Sequence, residues 1–195
     1  MDIVYNFSDL DLTKSYTYAD YLKWQFQERV ELIKGFIAKM SSAPNLSHQR
    51  VASNLSGCFY INFRKKTCEY FLASFDVRLP IKSKKDDTTV VQPDFCVVCD
   101  LSKLNNNGCH GAPDLIVEII SPHNSKYDSI TKFNLYQEAG VKEYWIIDPI
   151  EKILNVYTLQ NGTYIGLQPQ SEGEKIKSPL FPNINISLDD VFENL

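Results

Sequence analysis

A chain of 195 residues can bury one substantial core, and 44% hydrophobic with 23% charged residues is the balance of a folded protein, not a disordered one; a single domain over residues 1–195 is expected. The formal net charge of -4 excludes capture of nucleic acid through bulk positive charge and leaves room only for a local basic patch. Five cysteines at 58, 68, 96, 99 and 109 without framework spacing, and a start that lacks a basic-then-apolar leader, point to a reducing cytoplasm; no apolar run approaches the roughly 18 residues of a membrane span, so no membrane partner is expected.

In chain order, "SYTYADYLKWQFQERVELI" opens with polar capping candidates and places Tyr18, Tyr21, Leu22 and Phe26 near helical spacing, predicting a helix from about Thr17 to Gln27. "VELIKGFIAKM" reads as a short hairpin pivoting near Lys34 and Gly35. After a loop with Pro44, an amphipathic helix is predicted from about Ser47. Val51, Leu55, Cys58 or Phe59, and Ile61 to Phe63 lie on its buried face, with Gln49, Arg50 and Asn54 opposite. Arg64, Lys65, Lys66, Arg78, Lys82, Lys84 and Lys85 then concentrate positive charge, read either as a nucleic-acid patch or as solvation of a helix end and a hairpin tip.

"CEYFLASFDVRLPI" and "TVVQPDFCVV" are β-rich runs around the polar turn "KSKKDD", and "DLSKLNNNGCHGA" is a loop of turn formers. Cys96 and Cys99 resemble a CxxC pair, yet in a strand an offset of three puts them on opposite faces, so they read as buried, inert thiols and not as a zinc or redox site. "DLIVEIIS" is apolar apart from its acids, as in a strand covered on both faces. A helix from Lys126 to Glu138 with Gly140 as its stop, and a strand "KEYWIIDPI", complete a crossover unit. The segment 151–195 adds a hairpin at Asn161 and Gly162, an extended stretch and a short terminal helix, and reads as a packing extension of the core.

Alternation along "DLIVEIIS" points Asp114, Ile116, Glu118 and Ile120 to one face and Leu115, Val117 and Ile119 to the other. Glu118 then sits mid-strand with Asp94 at the start of its expected neighbour. Two carboxylates meeting there repel unless a divalent cation lies between them, and an oxygen-only site suits Mg²⁺ or Mn²⁺, not zinc. The competing reading makes Glu118 and Lys132 a structural ion pair, with Asp94 and Asp114 capping strand ends beside Pro93 and Pro113.

"VELIKG" at 30–35, "SHQ" at 47–49, "QPDFCVV" at 92–98, "PDLIVEIISP" at 113–122, Asp128 and Lys132, and "YQEAGVKEYWIIDP" at 136–149 together resemble the Uma2 family of the PD-(D/E)XK nuclease superfamily. The resemblance runs from about Tyr18 to Leu195. It implies an α/β (α+β) fold with a restriction-endonuclease-like core, a mixed central sheet flanked by helices. It also implies Asp94 as the Asp of the PD motif and Glu118 as the second acid, with Glu31 as a further contact to the metal or its waters. The superfamily lysine is missing, because Ile120 stands two residues after Glu118. Lys132 on the following helix is the implied substitute, with Asp128 one turn earlier to orient it or touch the site. His48 is a hydrogen-bond donor or phosphate contact at a helix N-terminus, or else a packing histidine, and Gln49 is a weaker candidate for positioning water.

The function so implied is a Mg²⁺-dependent (or Mn²⁺-dependent) endonuclease cleaving DNA, working as a homodimer. Two other classes compete with it: an inactive nucleic-acid-binding or accessory protein that keeps the nuclease fold, and a small-molecule or protein-interaction module whose acids form a buried network.

Overall fold

Lys34 and Gly35 take φ of 53° and 93°, the paired left-handed geometry of a two-residue hairpin turn, and close β1 (Val30–Ile33) onto β2 (Phe36–Lys39) as the sequence predicts. The computed structural model describes residues 3–40, 45–81, 87–121 and 126–195, with the side chains of 126–129 left out. Ahead of the hairpin, the first helix is far shorter than predicted: α1 covers only Tyr18–Tyr21. Thr17 starts it, donating from N and Oγ1 to Asp20 at 2.9 and 2.8 Å. It ends early because the next residues pair with the N-terminal segment, Val4 N–H to Lys23 O at 3.0 Å and Gln25 N–H to Val4 O at 2.8 Å, which holds Trp24 in a bridge and out of a helix.

Helix α2 (Leu46–Phe63) buries Val51, Leu55, Phe59 and Phe63, one residue per turn. Ile61, placed on the inner face by the sequence, is 67% exposed because it lies off that stripe. The two β-rich runs that follow give four strands, not two: β3 (Glu69–Leu72), β4 (Val77–Arg78), β5 (Val90–Val91) and β6 (Phe95–Val98). Each run breaks and passes from one sheet to the other. The predicted loop 100–112 contains a small hairpin, β7 (Leu104–Asn105) with β8 (Gly108–His110), which adds to β4 in parallel.

β9 (Leu115–Ile119), α3 (Lys126–Ala139) and β10 (Glu143–Asp148) form the predicted crossover, with β9 and β10 parallel. Gly140, at φ 86°, donates to Tyr136 O and ends α3. β11 (Ile153–Gln160) and β12 (Thr163–Gly166) turn at Asn161 and Gly162, and β13 (Gln170–Ser171) and α4 (Leu188–Val191) complete the chain.

The α/β class holds, with two mixed sheets where one central sheet was predicted. The first runs β2-β1-β5-β4-β8-β7 and the second β12-β11-β10-β9-β6-β3, with β13 beside β11. One face of the second sheet packs under α2 through Phe59, Phe95, Val117 and Trp145, and Ile176, Leu188 and Phe192 from the C-terminal segment join the same cluster. Its other face packs Cys96, Ile116 and Tyr144 against Leu135 and Tyr136 of α3 and against Val77 and Val91 of the first sheet. Cover on both faces explains why β9 reads as an almost unbroken apolar run.

Two readings of single residues change. Cys68 and Cys99 form a disulfide, so Cys99 is not an inert thiol; the β3–β6 register, extended one residue past Glu69 and Val98, sets them opposite each other although 31 residues separate them. Cys96 does remain a buried free thiol. Arg78 is no surface solvator: its side chain is 11% exposed, lies 4.6 Å from the Tyr18 ring centroid and pairs with Asp87 at 3.2 Å. Lys82, Lys84 and Lys85 lie outside the described residues. Among the described residues, no helix is long and apolar enough to cross a membrane.

Candidate active site

β6 and β9 pair antiparallel with Phe95 opposite Val117 and Cys96 opposite Ile116; carried one residue outward, the same register sets Asp94 opposite Glu118. Residues so opposed have Cβ atoms about 4.5–5.5 Å apart, and like charges there repel. Neighbouring elements hold both acids. Asp94 Oδ2 accepts the Ile119 N–H at 2.7 Å, and its Oδ1 lies 3.2 Å from Nε2 of His48. His48 is fixed in turn at the start of α2, where its N–H donates to the Asn45 side chain at 2.8 Å.

Glu118 is held from α3. Its Oε1 accepts the Tyr136 O–H at 2.6 Å and the Lys132 ammonium at 3.0 Å. The same ammonium lies 3.1 Å from Glu31 Oε1, which also accepts the Gln92 backbone N–H at 2.9 Å. Glu31 thus reaches the group from the first sheet, while Asp94 and Glu118 come from the second and Lys132 spans the gap between them. Glu31, His48, Asp94, Glu118 and Lys132 all line one cleft of about 820 Å³.

Charge and burial set the protonation states. Burial pushes Glu118 up to about 7, with Lys132 the main opposing influence and Asp94 and Glu31 adding to the rise. Burial alone would lower Lys132, but Glu118 and Glu31 outweigh it and hold the amine above its ordinary range, firmly an ammonium. For His48 burial again pulls down, and the bond and charge of Asp94 reverse the direction. Tyr136 is raised well above its usual value by burial and then by the Glu118 charge, so it serves as a neutral donor.

Glu31 and Glu118 therefore share the Lys132 ammonium, while Asp94 faces the His48 imidazole. Mg²⁺ commonly takes one or two protein carboxylates and completes its shell with waters and substrate phosphate. The opposed pair Asp94 and Glu118 fits that demand in donor type and charge. Among the described residues no group of three or more His, Cys, Asp and Glu side chains gathers as a metal cage. Oε1 of Glu31 is turned to Lys132 and Gln92.

Five of the six residues predicted for the site come together. The side chain of the sixth, Asp128, lies outside the described residues, and Gln49 is exposed on α2. Asp114 separates from Asp94: it ties the far end of β9, accepting the Cys99 N–H at 2.7 Å and pairing with Lys142. Sequence reasoning missed Tyr136 and the Gln92 backbone. The signal for Tyr136 was there, four residues after Lys132 and so on the same face of α3.

Comparison with known proteins bears on the family and the fold. The family model Uma2, described as "Putative restriction endonuclease", matches residues 18–189. The chain belongs to the Uma2 family. A solved structure titled as a "putative nuclease belonging to DUF820", from Anabaena variabilis, covers 90% of this chain and 97% of its own with a TM-score of 0.67 at 21% identity, a likeness of fold. The uncharacterized protein slr1290 of Synechocystis sp. is 26% identical over 141 residues, 71% of each chain. In this Uma2 chain the position two after Glu118 contributes only the apolar wall of Ile120 to the cleft, and the cation beside the acids arrives from α3.

Proposed function

We propose that this Uma2 protein is a Mg²⁺-dependent endonuclease, with Mn²⁺ as a working substitute, that hydrolyses phosphodiester bonds in DNA. One observation carries the reading: Asp94 and Glu118 are opposed across β6 and β9 in an open cleft, with the Lys132 ammonium fixed on Glu118. Asp94 and Glu118 would hold the ion, which when bound supplies Lewis-acid polarisation of the phosphate and a water of lowered pKa. Lys132 stands ready to neutralise charge growing on the phosphoryl oxygens and to orient the attacking water. Glu31 steadies Lys132 from the opposite sheet and would contact a bound ion or its waters. His48 keeps Asp94 turned toward the cleft, and Tyr136 pins Glu118. The reading sets the protein in the cytoplasm, a compartment in which a disulfide such as Cys68–Cys99 is uncommon. It also takes a homodimer as the working unit, bringing two clefts to the two strands of a duplex.

Relaxation of supercoiled plasmid in Mg²⁺ or Mn²⁺ tests the activity. Wild-type protein nicks it, and Asp94→Ala, Glu118→Ala and Lys132→Ala each lower the rate by at least about a hundredfold while keeping the wild-type circular dichroism spectrum. Equal cutting by all four proteins would remove these residues from the chemistry. The second reading, an inactive nucleic-acid binder, is favoured by Ile120 and by the use of Lys132 as a tight partner of Glu118. It would appear as a gel shift with plasmid that stays intact in every metal.

A further inference from the structure

A second pocket, of about 250 Å³, opens beside the acid cleft and shares Arg29 and Gln92 with it. Tyr21, Trp24 and Phe26 form its aromatic wall. Their rings run in series, Tyr21 to Trp24 at 5.5 Å between centroids and Trp24 to Phe26 nearly parallel at 5.9 Å and 26°. Polar groups complete the lining. The Gln92 amide donates to Tyr21 and Asp76 at 3.2 and 2.9 Å, and its oxygen accepts weakly from the exposed Arg29 at 3.4 Å. Trp24 Nε1 is closed off from solvent and has no acceptor among the described residues, an unspent donor in the same wall.

We infer that this pocket is a subsite for one nucleobase of the strand held in the acid cleft, from a nucleotide flanking the scissile phosphate. The inference rests on the nuclease reading above. Aromatic faces stack on any base, the guanidinium of Arg29 suits the phosphate that links such a base to the cleft, and the volume admits a single planar ring system but no folded peptide segment. Gln92 couples the two sites. Its backbone N–H holds Glu31 and its side chain floors the pocket, while Asp94 follows two residues later. A base seated there would set the register of the backbone against the acids.

Tryptophan emission reports directly on the pocket, because the chain has two tryptophans and the other, Trp145, is wholly buried in the core. A fluorescein-labelled single-stranded oligonucleotide is titrated in EDTA, so that nothing is cut, and protein emission is read alongside the anisotropy of the label. Binding quenches emission in the wild-type protein and not in Trp24→Phe, which retains affinity through its ring. Trp24→Ala weakens binding about tenfold, and so does replacing the bases of the oligonucleotide with abasic sites when wild-type protein is used. That abasic arm decides the matter even if Trp24→Ala does not fold. Equal anisotropy curves for normal and abasic strands, with emission unchanged, overturn the subsite and leave the nuclease reading standing. Absence of binding to any strand overturns the subsite, and plasmid nicking then reports separately on the nuclease.

Discussion

Lys132 and Tyr136 lie one turn apart on α3, and both end on Oε1 of Glu118. Each favours the carboxylate, against a burial that drives Glu118 up to about 7. The sign for a variant follows: removing a hydrogen bond to the charged form of an acid raises its pKa further. Tyr136→Phe deletes the 2.6 Å bond and shifts the acid limb of kcat/KM upward by about one pH unit, since a bond to a charged group is worth about 1.5–3 kcal/mol and one unit about 1.4. A pH–rate profile reads this, and a limb that does not move would show that Glu118 is not the group titrating in it. At this scale the acids were legible in the sequence, because a carboxylate in an apolar strand must be paired or put to use. Tyr136 was not singled out because a tyrosine on an amphipathic helix reads first as core, which it also is. The contact between His48 and Asp94 was out of reach, since it depends on how the start of α2 docks against β6.

Elements with local signals came out of the sequence intact. The hairpin at Lys34 and Gly35 and the stop at Gly140 are set by residues within one or two turns of chain, and the β9–α3–β10 crossover by the separate patterns of three consecutive elements. What failed depended on distant partners: α1 loses its second half to pairing with Val4, and the two apolar runs divide between sheets that no local pattern distinguishes. The seat of the C-terminal segment is equally non-local. Glu143 on β10, fully buried, accepts the Trp145 Nε1–H at 2.7 Å, the Ser178 O–H at 2.5 Å and the Leu180 N–H at 2.9 Å, tying residues 178–180 to the central sheet. Glu143→Ala strands three donors at once, two of them buried, and is expected to lower unfolding stability by about 3 kcal/mol, measured by urea denaturation. Nicking by the fraction still folded should stay near wild type, because Glu143 does not line the acid cleft.

Over the whole molecule, a net charge of -4 gives no attraction to DNA at long range, so on the nuclease reading recognition has to be local to the cleft, where Arg29, Lys34 and Lys39 join Lys132 in the lining and Glu31 and Glu118 share the Lys132 ammonium. The opposition of Asp94 and Glu118 across β6 and β9 is a standing cost in the metal-free protein and a source of stabilisation once a cation binds between them. A ligand that binds only the folded state adds about 2.7 kcal/mol at a hundred times its Kd, which for a chain of this size raises Tm by about 5–10 °C. Mn²⁺ should therefore raise the Tm of the wild-type protein, and the gain should vanish in Asp94→Ala. Its pH dependence has a definite sign. With Glu118 raised from 4.5 to about 7, a proton competes with the ion below neutrality, so the gain should be smaller at pH 6 than at pH 8. Differential scanning fluorimetry at both pH values reads it. A Tm gain that survives Asp94→Ala, or that does not change with pH, would place the cation somewhere other than between the two opposed acids.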